Sequence, residues 1–114
     1  LKVAETRIDD PTINFKIAKA LAKTLNQLPL HSPIEVKWPN DLYCDNKKLA
    51  GLLTECSSQN QHNRIILGLG LNLNLSAQHL LNLPQHTINL SAILKDTISK
   101  QHIAALVLQS LCQA

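Results

Sequence analysis

The sequence predicts an α+β domain in which a mixed, largely antiparallel β-sheet is backed by helices. Residues 13–28 carry apolar side chains at helical spacing, whereas residues 34–38 and 64–74 alternate as half-buried strands do. A polar stretch at residues 57–63 separates two strand-like runs, which is typical of an antiparallel hairpin. A chain of 114 residues, 45% of them hydrophobic, is one domain at most and is globular rather than disordered.

Composition excludes several classes of protein. The net charge of +3 comes without a basic run or interleaved aromatic residues, so it does not favour a nucleic acid as partner. No apolar run approaches the ~20 residues of a membrane span, and no signal peptide opens the chain. The 3 cysteines lack C-x-x-C spacing, which is typical of reduced thiols in a cytoplasmic protein. The histidines have no metal-ligand spacing and are predicted to lie on the surface: His31, His62, His79, His86 and His102.

The first helix is predicted from Ile13, after an edge strand or loose arm at residues 1–10. Pro11 suits the first helical turn, and Asp9, Asp10 or Thr12 can cap it. The apolar stripe then runs for about four turns, to Leu28. The lysines off this stripe are predicted to face solvent: Lys16, Lys19 and Lys23. Because the chain has no Met and begins at Leu1, we expect a segment of a longer protein.

The next elements surround a run of unusual composition at residues 34–56. Residues 34–38 predict a strand that Pro39 ends, because proline lacks the N–H that a strand needs. Asn40 and Asp41 then lie in a turn, residues 42–44 form a return strand, 45–46 a hairpin turn and 47–56 a further strand. Polar and charged residues thus gather at strand ends, where function is common. Local pattern alone favours neither a functional site nor a solvated turn.

The strand at residues 64–74 has two different faces. One is a continuous apolar row, whereas the other contains Gly68, Gly70 and two asparagines. All 3 glycines of the chain lie in strand patterns, where glycine is unfavourable unless another group approaches closely. This distribution favours a ligand groove over a bulged or crowded strand. If Gly51 faces Gly68, then Glu55 faces Arg64, and the glycines form a gap in the sheet walled by Leu49, Leu53 and Ile66.

The remaining residues predict three short or amphipathic helices. Residues 76–81 form one, ended by Pro84, and residues 91–94 form another. Ser99 can cap the last helix. Its apolar stripe is Ile103, Ala104, Leu106/Val107, Ser110 and Leu111.

Three ordered motifs carry a family resemblance. They are KWPNDLY at residues 37–43, KKLAGLLTE at 47–55 and GLGLN at 68–72. In this order and spacing they resemble the catalytic domain of biotin–protein ligases. The resemblance covers residues 13–74 well and 87–111 more loosely, and it implies part of the biotin/lipoate ligase catalytic fold.

The resemblance implies an ATP-dependent enzyme that activates biotin to biotinyl-5′-AMP. The biotinyl group then passes to a lysine of a biotin carboxyl carrier protein domain of a carboxylase. A carboxylate must attack a phosphate, so cations are needed. Lys48 aligns with the lysine that touches the biotin carboxylate and the phosphate, Lys37 with one that serves the phosphate and nucleotide, and Asp41 with a Mg²⁺-linked carboxylate.

The remaining aligned positions imply binding rather than charge stabilisation. Gly51, Leu53, Gly68 and Gly70 match positions of the biotin pocket, together with Lys48. Asn72 matches an asparagine that hydrogen-bonds adenine. Asn40 is expected to support the nucleotide or the local geometry, and Trp38 to pack or to form a ligand wall. No covalent nucleophile of the enzyme is implied.

Several parts of the family pattern do not occur in this sequence. The glycine- and arginine-rich loop that closes over the ligands is absent, as are a C-terminal β-barrel and a winged-helix DNA-binding domain. We therefore expect residues 1–114 to be a partial catalytic domain with an incomplete site. A non-catalytic remnant that acts as an association module and a lipoate ligase relative stay open as alternatives. Unpaired strand edges predict self-association as a homodimer.

Overall fold

The computed structural model describes residues 12–59, 62–83 and 86–113, and it confirms the predicted α+β fold class. Four strands form one antiparallel sheet in the order β1-β2-β3-β4. Apart from an isolated bridge between Lys48 and Thr87, every pairing in these residues is antiparallel. The elements are α1 (Ile13–Leu25), β1 (Glu35–Lys37), β2 (Asp41–Cys44), β3 (Lys47–Gln59), β4 (His62–Leu71), α2 (Ala77–Leu81), α3 (Leu90–Ile93) and α4 (Lys100–Gln113).

Helix α1 forms the centre of the core. It contacts β1, β2 and β3 on one side and α4 on the other. Most of its predicted apolar stripe is buried, although Ala20 and Leu28 are half-buried, and the three predicted surface lysines are exposed. The helix ends at Leu25, one turn earlier than predicted, because the chain then tightens: the Gln27 N–H donates to the Thr24 carbonyl at 3.1 Å and the Leu28 N–H to the Leu25 carbonyl at 3.0 Å. The side chain of Asn26, just after the helix, bonds the backbone of Ile34. Asn26 Nδ2 donates to the Ile34 carbonyl at 2.9 Å, and the Ile34 N–H donates to Asn26 Oδ1 at 2.8 Å.

The turn between β2 and β3 has the predicted position and a clear local cause. Asp45 and Asn46 have positive φ angles of 51° and 62°, which these two residue types tolerate better than most. Positive φ at both central positions is typical of the two-residue type I′ hairpin. Cys44, just before the turn, is buried and free. Burial, reinforced by the carboxylates of Asp45 and Glu35, raises the pKa of its thiol above the ordinary value of 9.0.

The hairpin of β3 and β4 is longer than predicted, and the predicted register is wrong. The polar residues expected to form a connection continue both strands as far as Gln59 and from His62. Apolar alternation cannot detect such a polar extension, and moving the turn shifts the pairing by two residues. An even shift preserves the faces, so the glycines still share one side of the sheet. The observed pairs are Gly51 with Gly70, Leu53 with Gly68, and Glu55 with Ile66 rather than with Arg64.

A β-bulge in β3 corrects a second expectation. Leu42 pairs with Ala50 and Tyr43 pairs with Lys48, so Leu49 is an extra residue between the two pairs. Leu49 and Ala50 are consequently both buried, with exposed fractions of 0% and 1%. Leu49 therefore belongs to the core. The prediction from strict alternation, in which Leu49 walls the glycine gap, is wrong.

The C-terminal helices follow the sequence closely. Ser76 caps α2 by accepting from the N–H of His79, and Ser99 Oγ accepts from the N–H of His102 at 3.1 Å. The α4 stripe is largely buried, although Ala104 is exposed. Between α2 and α3, the buried Asn89 bonds both the N–H and the carbonyl of Leu75 at 2.9 Å.

Some predictions concern residues that lie outside the described ranges. These are the arm at residues 1–10, the caps Asp9 and Asp10, Pro11 in the first helical turn, and the break at Pro84. Within the described ranges, no helix is long and apolar enough to cross a membrane. Four of the histidines are exposed as predicted, and the side chain of His62 is not described: the four are His31, His79, His86 and His102.

Candidate ligand-binding face of the sheet

One row of side chains crosses all four strands on the face of the sheet that is turned away from α1. Lys37 is opposite Asp41, Asp41 is opposite Gly51, and Gly51 is opposite Gly70. Directly opposed residues of antiparallel strands project from the same face. We call this set of four residues the central row. It combines one cation, one anion and two positions without side chains.

The bulge adds Lys48 to this face. With strict alternation from Gly51, Lys48 would point into the core, but the extra residue Leu49 reverses its direction. The Lys48 ammonium lies 3.6 Å from Asp41 Oδ1, and the two side chains are 30% and 27% exposed. A pair this exposed is worth about 0.2–1 kcal/mol. Asp41 therefore orients the Lys48 ammonium but offsets only part of its charge.

The backbone of Lys48 is held by a segment that is remote in sequence. Its N–H donates to the His86 carbonyl at 2.8 Å, and its carbonyl accepts from the Ile88 N–H at 3.0 Å. Asn72 Nδ2 lies 3.4 Å from the same carbonyl oxygen, and the backbone N–H of Asn72 donates to the Leu49 carbonyl at 3.0 Å. The position of the lysine thus depends on residues 72 and 86–88 as well as on its own strand.

A groove of about 360 Å³ opens beside Lys48. A methyl group added at Gly51 would lie 3.3 Å from the end of the Lys48 side chain and 3.4 Å from Asp41 Oδ1. One added at Gly70 would have no neighbour within 4 Å, so it would project into open space. The groove is lined by Lys48, Ala50, Gly51, Gly70, Asn72, Leu83 and Thr87.

The second predicted part of the pocket lies in the next row along the strands. Leu53 is opposite Gly68, and its side chain is 63% exposed. Ile66, opposite Glu55 in the following row, projects from the same face and is 49% exposed. A methyl group at Gly68 would make only ordinary contacts with Leu53, at 3.6 and 3.9 Å. Leu53 and Ile66 thus form an exposed apolar patch around Gly68, next to the central row.

Lys37 lies at the far end of the central row from Gly70. Its ammonium is 4.7 Å from the centre of the Tyr43 ring, whereas Asp41 pairs with Lys48. The neighbouring Trp38 is 59% exposed and packs on Phe15, with ring centres 4.8 Å apart, and its bond to Pro39 is cis. Trp38 thus packs against α1, but more than half of it is open to solvent.

Asn40 is placed differently from the other predicted site residues. Its side-chain amide donates to the Leu52 carbonyl at 2.7 Å, and the Leu52 N–H donates to the Asn40 carbonyl at 2.9 Å. These two bonds tie the turn before Asp41 to the strand that carries Gly51. Asn40 therefore fixes local geometry and does not line the groove, unlike Asn72.

A magnesium ion at Asp41 would need ligands from elsewhere. In the described part of the chain, no three histidine, cysteine or acidic side chains converge to hold a metal. Mg²⁺ is commonly held by one or two carboxylates together with substrate phosphates and water. The single, partly exposed carboxylate of Asp41 fits that mode of binding.

Three residues that line the groove were not among the predicted site residues: Ala50, Leu83 and Thr87. Thr87 reaches the site through its parallel bridge with Lys48, a contact between distant residues that no local pattern indicates. Leu83 follows a short helix and carries no motif. Only Ala50 had a signal, because it lies between Lys48 and Gly51 in the second motif.

Comparison with known proteins decides which family contains this arrangement. Residues 4–72 match the model of the biotin/lipoate A/B protein ligase family. The chain belongs to this family. It is 33% identical over 91 residues to biotin–protein ligase 2 of Arabidopsis thaliana, and 36% identical over 62 residues to the bifunctional ligase/repressor BirA of Escherichia coli.

Comparison with solved structures shows a shared fold and how much of each chain is matched. The structure of biotin protein ligase from Aquifex aeolicus in complex with biotin and ATP has a TM-score of 0.70 and 20% identity, covering 93% of this chain and 44% of that chain. The Arabidopsis match covers 75% of this chain and 25% of the relative, and the E. coli match covers 54% and 19%. The chain thus shares the fold of part of this biotin protein ligase and spans less than half the length of the relatives it matches.

Proposed function

We propose that this chain carries the charge-stabilising centre of a biotin–protein ligase. In that reaction, ATP activates biotin to biotinyl-5′-AMP, and the biotinyl group passes to a lysine of a biotin carboxyl carrier protein. The observation that carries the proposal is the bulge that turns Lys48 onto the glycine face beside Asp41. Family membership is consistent with this chemistry, but the chain spans a quarter or less of its curated relatives.

The chemistry of activation needs what this face offers. The biotin carboxylate and the α-phosphate are both anionic, so their approach requires cations that are already in position. Lys48 is the main electrostatic catalyst in this proposal, and Lys37 stabilises the phosphate side. Asp41 orients Lys48 and, with phosphate oxygens, holds Mg²⁺. The ion adds charge neutralisation when it is bound.

The glycines receive the ligand in this proposal. Gly51 and Gly70 leave the groove open beside Lys48, which suits the carboxylate end of biotin. Leu53 and Gly68 supply apolar contact to the rest of the molecule. Asn72, which also lines the groove, offers an amide to the adenine ring. The free thiols of Cys44 and Cys112 suit a reducing compartment, which we take to be the cytoplasm.

Two alternatives predict different ligands. A lipoate ligase relative would bind lipoate in preference to biotin, and the family model covers both classes. A non-catalytic module would bind neither and would instead associate through β1 or β4, which are the edges of the described sheet. The glycine groove favours a small-molecule site over this second alternative.

The test is calorimetric titration of the chain with biotin and with lipoate, each with and without MgATP. We expect biotin binding that MgATP strengthens and that Lys48→Ala weakens by about tenfold or more, as for loss of a charged contact. Lys47→Ala is the matched control, because this exposed neighbour pairs with Cys44 at the hairpin. A folded chain that prefers lipoate, or binds neither ligand, would refute the proposal. Equal losses in the two lysine variants would refute the assigned role of Lys48.

A further inference from the structure

We infer that Tyr43 is a positioning residue, which holds Lys37 away from the nearby carboxylates so that its charge is available to a phosphate-bearing ligand. This inference rests on the proposed function, because it assigns Lys37 to the phosphate side. It is carried by the contact of 4.7 Å between the Lys37 ammonium and the centre of the Tyr43 ring.

The arrangement of the face explains why a ring is needed there. Tyr43 lies between two strands, opposite Glu35 on β1 and opposite Lys48 on β3. Lys37 is directly opposite Asp41, at a separation where opposite charges on neighbouring strands commonly pair. Glu35 is two residues from Lys37 on the same strand and therefore on the same face. Lys37 thus has two carboxylates within reach, yet its ammonium lies on the ring.

The consequence is a separation of charge along the central row. Asp41 pairs with Lys48, and the aromatic ring holds Lys37 through its quadrupole without neutralising it. The ring carries no net charge, so it does not offset the charge of Lys37, whereas a carboxylate partner would offset part of it. Lys37 and Tyr43, together with the carboxylate of Glu35, also line a depression of about 280 Å³ that is open to solvent. A phosphate group can therefore approach this cation directly.

The inference makes a structural prediction that needs no ligand. The ε-methylene protons of Lys37 should show an upfield ring-current shift in the NMR spectrum. This shift should persist in Tyr43→Phe, which keeps the ring, and disappear in Tyr43→Leu. An unshifted Lys37 in the wild-type chain, or a shift that survives in Tyr43→Leu, would overturn the inference whatever the ligand.

The functional test is a double-mutant cycle with MgATP as the probe, measured by calorimetry in the full chain. Tyr43→Leu should weaken MgATP binding roughly two- to five-fold, as expected for an exposed cation–π contact, and Tyr43→Phe should not. In a Lys37→Met background, Tyr43→Leu should have no further effect. Lys23→Met, on exposed helix surface, controls for the loss of one positive charge.

The outcomes separate the two proposals. The positioning role would be overturned if Tyr43→Leu weakened MgATP binding equally in the wild-type and Lys37→Met backgrounds. It would also be overturned if Tyr43→Phe weakened MgATP binding as much as Tyr43→Leu. Either result would leave the ligase proposal intact. No MgATP binding by the folded wild-type chain would refute the nucleotide part of the proposed function, and the positioning role would fall with it. The ring-current shift would then remain as a purely structural contact.

Discussion

Substituting Gly70 by alanine should change the stability of the fold and the affinity for biotin in opposite directions. No glycine in the described residues has a positive φ angle, so the backbone at Gly70 accepts an L side chain. The added methyl group would meet nothing within 4 Å. Alanine also restricts the unfolded chain more than glycine does. We therefore expect Gly70→Ala to raise the free energy of unfolding by about 0.4–1 kcal/mol.

The same methyl group should harm binding. It projects into the groove beside Lys48, where the proposed function places the ligand. Crowding a close-packed contact costs about 1–3 kcal/mol, which corresponds to roughly 5- to 150-fold in the dissociation constant for biotin. The variant should thus be more stable and bind less tightly, a combination that damage to the fold does not produce.

Urea denaturation and calorimetric titration with biotin measure the two effects on the same preparation. Gly51→Ala is the matched comparison: its methyl group lies 3.3 Å from the Lys48 ammonium and must displace that flexible group slightly. It should therefore gain less stability than Gly70→Ala. A stabilised Gly70→Ala variant with unchanged biotin affinity would refute the groove as the binding site. A destabilised variant would refute the view that the fold does not need this glycine.

Three further predictions concern residues around the groove. Asn40→Ala should lower the free energy of unfolding by about 0.5–1.5 kcal/mol, because the bond to the Leu52 carbonyl is lost. Asn40→Asp should lower it by more, because a carboxylate without a donor would face that carbonyl. Equal urea midpoints for the two variants would contradict this. Asp41→Asn should cost only about 0.2–1 kcal/mol, with the difference shrinking at 1 M salt, since its pair with Lys48 is partly exposed. Because burial, with its neighbouring carboxylates, raises the pKa of Cys44 above 9.0, the folded state keeps a proton that the unfolded state loses at alkaline pH. The contribution of this thiol to stability is complete below pH 9 and is lost as the pH rises through its raised pKa. Above pH 9, the free energy of unfolding of the wild-type chain should therefore fall more steeply with pH than that of Cys44→Ala, as measured by urea denaturation.

The sequence predicted which residues face the same side of the sheet better than which residues are paired. Side-chain alternation has a period of two, so the shared face of Gly51, Gly68 and Gly70 survives an even error in register. The pairing itself depends on where the turn lies. The polar residues before and after that turn continue the strands without any apolar signal, and the expected pairing of Gly51 with Gly68 was therefore wrong.

The candidate site depends on contacts that local patterns do not contain. Lys48, Asp41 and Gly51 were each singled out by motif, but the alternation used for the strand placed Leu49 on the glycine face. The structure shows instead a bulge fixed by bonds from residues 72 and 86–88. Those residues are remote in sequence, and their parallel bridge to Lys48 has no counterpart in hairpin rules.

The bulge also explains the residue sizes in the K-L-A-G part of the second motif. Two consecutive residues point inward there, the large Leu49 and the small Ala50, and two point outward, Lys48 and Gly51. A regular strand would send Lys48 to the core side, where an unpaired ammonium is strongly disfavoured. The extra inward residue therefore places a lysine beside a glycine on one face while the core remains apolar. Deleting Leu49 should restore regular alternation from Gly51 through Ala50 to Lys48, so Lys48 would stay on the outer face opposite Tyr43. The deletion should still destabilise the fold, because a fully buried leucine is lost from the core. By contrast, Leu49→Met, which keeps the residue count and nearly the volume, should cost less than about 1.5 kcal/mol.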